Sequence, residues 1–202
     1  MMEEESKCRN IVRECFSIPN IMSYLRFLMI PVFLYLYYHA QTPEDYLTVA
    51  GVIALSAFTD FLDGFIARRF DMRTELGVLL DPLADKFTQG AIAIMFMGSI
   101  GSMTYLFILF CGKELFMLVN DIILYRKGKK FSGALWAGKV STTVFFVTTV
   151  LLAAFPTMPV TLSDALVLLT AAFLLISFFQ YGVAYKQMYA EAAAEKRERE
   201  RL

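Results

Sequence analysis

Four aspartates, Asp60, Asp63, Asp81 and Asp85, stand close together in a chain that is otherwise strongly apolar. Asp60 and Asp63 are spaced i, i+3 and Asp81 and Asp85 i, i+4, so on helices each pair shares a face. Carboxylates set among apolar helices are costly to keep and mark a site that uses them. Four anions gathered in one place repel one another unless cations neutralise them, and hard oxygen donors select Mg²⁺, Mn²⁺ or Ca²⁺ over softer metals. Gly64 and Ala67 continue the face of the first pair with almost no side chain, which lets a ligand or another helix approach the backbone. Arg68 follows with a fork suited to phosphate oxygens. Gly77 allows a tight turn between the two pairs. Each piece alone has a plainer reading: an aspartate pair as a cap, Gly64 and Ala67 as packing, Arg68 as an anchor at a membrane surface. Together, at this spacing, they describe a metal-dependent site for a nucleotide diphosphate.

The elements that must position these residues are membrane helices. The chain has 202 residues, 57% hydrophobic, 15% aromatic and 19% charged, with a mean hydropathy of +0.55. A spanning helix needs about 20 mostly apolar residues. Six such stretches fit between Pro19 and Tyr185, at about 21–39, 46–67, 79–98, 103–125, 137–155 and 164–185. The expectation is an all-α membrane protein of six transmembrane helices, with Asn20 capping the first. Residues 1–17 form an N-terminal segment in which Cys8, Ile11, Val12, Cys15 and Phe16 make one apolar face, a short amphipathic helix lying in the interface. Residues 18–186 form the six-span domain, and residues 187–202 a charged helical tail.

Lysine and arginine set the orientation. Arg68, Arg69 and Arg73 follow the second span, and Arg126, Lys127, Lys129 and Lys130 follow the fourth; the connections near 40–45, 98–102 and 156–163 hold neither residue type. Both termini therefore fall in the cytoplasm, and all four aspartates meet at the cytoplasmic ends of the second and third spans. Zero net charge gives no field that would attract nucleic acid. Three widely spaced cysteines suggest neither a disulfide framework nor a zinc site. The acidic start Met1-Met2-Glu3-Glu4-Glu5 lacks the basic region of a secretory signal, so the first span is expected to be retained.

The run from Asp60 to Asp85 resembles, without a gap, the signature D-x2-D-G-x2-A-R-x8-G-x3-D-x3-D of the CDP-alcohol phosphatidyltransferases. Eight specified positions coincide by chance on the order of once in 10^10 starting points. The resemblance implies that Asp60, Asp63, Asp81 and Asp85 hold two divalent metals, Mg²⁺ or Mn²⁺, and that Asp85 is the catalytic base. It implies that Gly64, Ala67, Arg68 and Gly77 bind the nucleotide and pyrophosphate of CDP-diacylglycerol. Asn20, Ser23 and Arg26 resemble an N-x2-(T/S)-x2-R segment that lies against the nucleotide, which adds Asn20 and Ser23 to the binding set. That segment, and the form Asp81-Pro82-Leu83-Ala84-Asp85-Lys86, is similar to the members that use sn-glycerol 3-phosphate or phosphatidylglycerol as acceptor.

The implied reaction belongs to phospholipid synthesis: a phosphatidyl group passes from CDP-diacylglycerol to sn-glycerol 3-phosphate, giving phosphatidylglycerophosphate and CMP. Lys113, Lys139 and Arg126 are the candidate acceptor-binding cations. A local pairing of Lys113 with Glu114 is the plainer reading of the first, and Arg126 reads equally as a topology determinant. Transfer to phosphatidylglycerol, making cardiolipin, is the alternative, and another CDP-alcohol phosphatidyltransferase, accepting serine or inositol phosphate, ranks below it. A divalent-cation transporter is the remote one, because transport sites normally lie at the bilayer midplane on broken helices. The expected setting is the cytoplasmic membrane, among membrane lipids, as a homodimer and without nucleic acid.

Overall fold

The computed structural model describes residues 17–69, 75–126 and 135–199. They form six α-helices: α1 Ile18–His39, α2 Pro43–Arg69, α3 Glu75–Met97, α4 Gly101–Arg126, α5 Trp136–Ala154 and α6 Val160–Arg199. No strand occurs among the described residues. The six apolar stretches of the sequence each become one helix, with ends shifted by a few residues, except that the sixth runs on without a break to Arg199, through the start of the expected tail. Four helices are long and apolar enough to cross a membrane: α1, α2, α5 and α6. α3 and α4 carry Asp81, Asp85 and Lys86, and Lys113, Glu114 and Asp121, inside their helical runs. The expected interfacial helix of residues 7–16 lies outside the described residues.

Local chemistry explains the helix starts. α1 begins at Ile18, with Pro19 in its first turn and Ser17 as the N-cap. Proline fits there because its missing N–H would have had no helical partner. Asn20 is therefore not the cap that the sequence suggests; it lies inside the helix and is fully buried. α2 opens on a reciprocal cap: the Asp45 amide donates to Thr42 Oγ1 at 3.3 Å, and the Asp45 carboxylate accepts from the Thr42 amide at 2.8 Å.

The chain divides into two compact units, residues 1–98 with 149–158, and residues 99–148 with 159–202. In the first, α1 packs against both α2 and α3. Its core holds Phe33, Val49, Ile53, Ile92 and Phe96, and Tyr37 meets Phe96 edge-on at 5.4 Å. In the second, α4 packs against α6. Ser163, Val167, Thr170, Leu174, Ser177, Tyr181 and Tyr185 form one buried seam along α6, in which small hydroxyl residues let neighbours approach. The Thr170 hydroxyl lies 2.9 Å from both the Thr148 hydroxyl of α5 and the Leu166 carbonyl of its own helix. The outer faces are apolar: Leu28, Phe61, Phe87, Tyr105, Ile108, Leu168 and Phe179 are each more than half exposed. So much apolar surface suits hydrocarbon rather than water.

Candidate active site

The signature residues lie on α2 and α3, and α1 supplies the third wall. Asn20, Ser23 and Arg26 recur at i, i+3 and i+6, which keeps them on one side of α1, and all three are fully buried. Arg26 joins the two signature helices: its Nη2 reaches Asp60 Oδ1 on α2 at 2.9 Å, and its Nη1 donates to Asp85 Oδ1 on α3. Ser23 Oγ donates to Asp81 Oδ1. The Asp60 and Asp85 side chains remain 28% exposed, so each carboxylate touches a buried cation and an open side at once.

The sequence brings this about through two helix ends and a short link. Asp60 lies toward the C-terminal end of α2, and Asp81 and Asp85 lie in the first half of α3. Pro82 follows Asp81 inside α3 and cannot donate a backbone hydrogen bond. One turn further along, Ser56 on α2 and Thr88 and Gln89 on α3 are buried, so the polar character continues into the helix contacts.

Ser23 and Arg26 thus bring Asp60, Asp81 and Asp85 to one face of α1, on which Asn20 also lies buried. Gly77 is buried at the start of α3. Asp63, Gly64, Ala67 and Arg68 sit on the helical course of α2, but their side chains lie outside the described residues. Among the described residues no group of three His, Cys, Asp or Glu side chains is close enough to hold a metal ion. Arg26 pairs with both Asp60 and Asp85. The donor set nevertheless suits a hard cation: three carboxylates against one guanidinium leave the group net anionic, and all the donors are oxygens. Arg26 lies outside the signature itself and joins the site through its contacts with two of the signature aspartates. Its signal was the same-face spacing after Asn20 and Ser23.

The acceptor candidates lie in the second unit. Lys113 is buried, and its Nζ contacts Glu114 Oε1 at 2.9 Å and stands 5.7 Å from the centre of the Tyr181 ring. The local Lys113–Glu114 pairing is therefore real. Lys139, in the first turn of α5, is exposed, as is Arg126 in the last turn of α4.

Comparison with known proteins adds a second line. Residues 16–181 match the family model of the CDP-alcohol phosphatidyltransferases. The chain is 30% identical to the CDP-diacylglycerol–glycerol-3-phosphate 3-phosphatidyltransferase of Pseudomonas fluorescens over 172 residues, 82% of this chain and 88% of that protein. It is 30% identical to the Escherichia coli K12 protein of the same name over 135 residues, 65% of this chain and 74% of that one. A Schizosaccharomyces pombe cardiolipin synthase (CMP-forming)/mitochondrial hydrolase fusion protein is 39% identical over 87 residues, 43% of this chain and 14% of that protein.

Proposed function

The chain belongs to the CDP-alcohol phosphatidyltransferase family, and from that premise we propose that it transfers a phosphatidyl group from CDP-diacylglycerol to sn-glycerol 3-phosphate. The carrying observation is the meeting of Asp60, Asp81 and Asp85 on the α1 face that holds Ser23 and Arg26. The named relatives that match across most of their length support glycerol 3-phosphate as the acceptor.

In the reaction, the primary hydroxyl oxygen of glycerol 3-phosphate attacks the phosphorus that carries the diacylglycerol. A new P–O bond forms, the bond to CMP breaks, and CMP leaves with the electron pair. Asp85 takes the hydroxyl proton. It is a carboxylate with one oxygen engaged by Arg26 and a partly open side. Two divalent cations, Mg²⁺ or Mn²⁺, held by Asp60, Asp63, Asp81 and Asp85, would draw negative charge from the departing CMP. Gly64, Ala67, Arg68 and Gly77 hold the nucleotide and pyrophosphate, while Asn20 and Ser23 line the same pocket from α1. Lys113, Lys139 and Arg126 supply positive charge for the acceptor phosphate.

We place all six helices in the cytoplasmic membrane, with both termini and the aspartates on the cytoplasmic side and the protein as a homodimer. The one-sided distribution of Lys and Arg supports that orientation. The match to a cardiolipin-forming protein favours a second reading, with phosphatidylglycerol as acceptor. An acceptor screen separates the two. Purified protein with CDP-diacylglycerol and Mg²⁺ or Mn²⁺ should release CMP and form phosphatidylglycerophosphate when glycerol 3-phosphate is added. Cardiolipin formed from phosphatidylglycerol, with glycerol 3-phosphate ignored, would overturn the first reading.

A further inference from the structure

Tyr181 touches three separate segments of the second unit. Its ring, on α6, lies 5.7 Å from the ammonium of Lys113 on α4. Its hydroxyl accepts the Leu135 amide at 3.3 Å, and Leu135 is the residue before α5. The same hydroxyl is pressed against Gly138: a Cβ there would lie 2.9 Å from the Tyr181 oxygen and 3.2 Å from its Cε2. The side chain is 4% exposed, inside a helix otherwise suited to hydrocarbon.

Each contact answers a physical need. A tyrosine hydroxyl buried among apolar helices requires a partner, and the amide ahead of a helix has no partner within it. A buried lysine ammonium needs negative charge or a π face; Lys113 has the Glu114 carboxylate at 2.9 Å and the Tyr181 ring. Gly138 in turn accepts the Ser141 and Thr142 hydroxyls on its carbonyl, at 2.9 and 3.1 Å, so the first turn of α5 is held from both sides. Lys139 belongs to that turn, and its amide bonds to the Leu135 carbonyl at 3.2 Å. Two of the three acceptor candidates are therefore tied to one tyrosine.

We propose that Tyr181 is the positioning residue of the acceptor site: its ring fixes Lys113, its hydroxyl fixes the α5 turn that carries Lys139, and Gly138 is required so that the hydroxyl fits. The inference rests on Lys113 and Lys139 binding the acceptor phosphate. The plain alternative is that Tyr181 only fills the seam with Leu124 and Tyr185.

The two differ in kinetics. Tyr181→Phe keeps the ring and loses the hydroxyl, and should raise the KM for glycerol 3-phosphate about threefold to tenfold, the worth of one neutral hydrogen bond. Tyr181→Leu also loses the π face and should raise it about tenfold or more. The KM for CDP-diacylglycerol should stay within about twofold in both. Gly138→Ala should mimic the loss by pushing the ring aside. In the Tyr181→Phe background the same substitution should cost clearly less, because the closest clashing atom is gone. Lys113→Ala serves as the control. If it raises the acceptor KM while the Tyr181 and Gly138 variants change only the thermal midpoint in detergent, or shift both KM values alike, Tyr181 is a packing residue and the proposal fails alone. If Lys113→Ala and Lys139→Ala both leave the acceptor KM untouched, the acceptor-site reading and the proposal fail together.

Discussion

Arg26 is the cation on which the described part of the site turns. Fully buried, it contacts Asp60 and Asp85 from different helices. Removing one partner of such a group leaves charge without compensation, which costs about 3–5 kcal/mol in a closed interior. The two carboxylates are 28% exposed, so the lower end applies. Arg26→Met should lower the thermal midpoint in detergent by roughly 5–10 °C. Added Mg²⁺ or Mn²⁺ should recover part of that loss, because a divalent ion supplies the missing charge; an Arg26→Met midpoint equal to wild type would show that the pairing is inert. Asp85→Asn tests the base. It should cut kcat by about 10² or more while CDP-diacylglycerol binding, measured by titration, survives. Turnover near the wild-type rate would remove Asp85 from that role. The signature made Asp60, Asp81 and Asp85 legible as carboxylates that meet. Arg26 was legible only as the last position of a segment resembling one that lies against a nucleotide, and only the fold puts it between two aspartates. Tyr181 was hidden for a similar reason: a tyrosine in an apolar run reads as packing until its hydroxyl partner is known.

The helices were the most legible elements, because a run of about 20 apolar residues has few structures open to it. Boundaries were less so. Asn20 looked like a cap, but Pro19 is better accommodated inside the first turn, and this draws Asn20 into the helix. The length of α6 follows from its composition. Its 40 residues run for roughly 60 Å, about twice the hydrocarbon thickness. Its later part is held to α4 by two side-chain bonds, Tyr185 to Asp121 at 2.8 Å and Tyr189 to Asn120 at 2.9 Å. Removing residues 191–202 should therefore leave the thermal midpoint and turnover near wild type. Cutting after Tyr185 removes the Tyr189–Asn120 bond as well as the Met188 contact in that cluster, and should lower the midpoint by several degrees. Equal midpoints for the two truncations would show that this stretch of α6 contributes nothing to the pairing.

Among its described residues the molecule is all-helical; it belongs to a phosphatidyl-transferring family and is rich in apolar surface suited to a bilayer. Its proposed orientation can be tested with single cysteines placed in a variant lacking Cys8, Cys15 and Cys111. A cysteine at Gln41 or Thr157 should react with an impermeant maleimide on intact cells, whereas one at Arg126 should react only after the membrane is opened. The reverse pattern would place the aspartates on the outer face. The central claim is that metal-dependent phosphatidyl transfer occurs at the aspartate cluster. The most direct measurement is CMP release from CDP-diacylglycerol and glycerol 3-phosphate by purified wild type and Asp60→Asn, with Mg²⁺ and then with excess EDTA. Wild type should release CMP in step with phosphatidylglycerophosphate, stop in EDTA and resume when the metal is restored, while Asp60→Asn, folded by its thermal midpoint, should stay inactive. Full turnover of the wild type in excess EDTA, or wild-type rates from Asp60→Asn, would contradict the account.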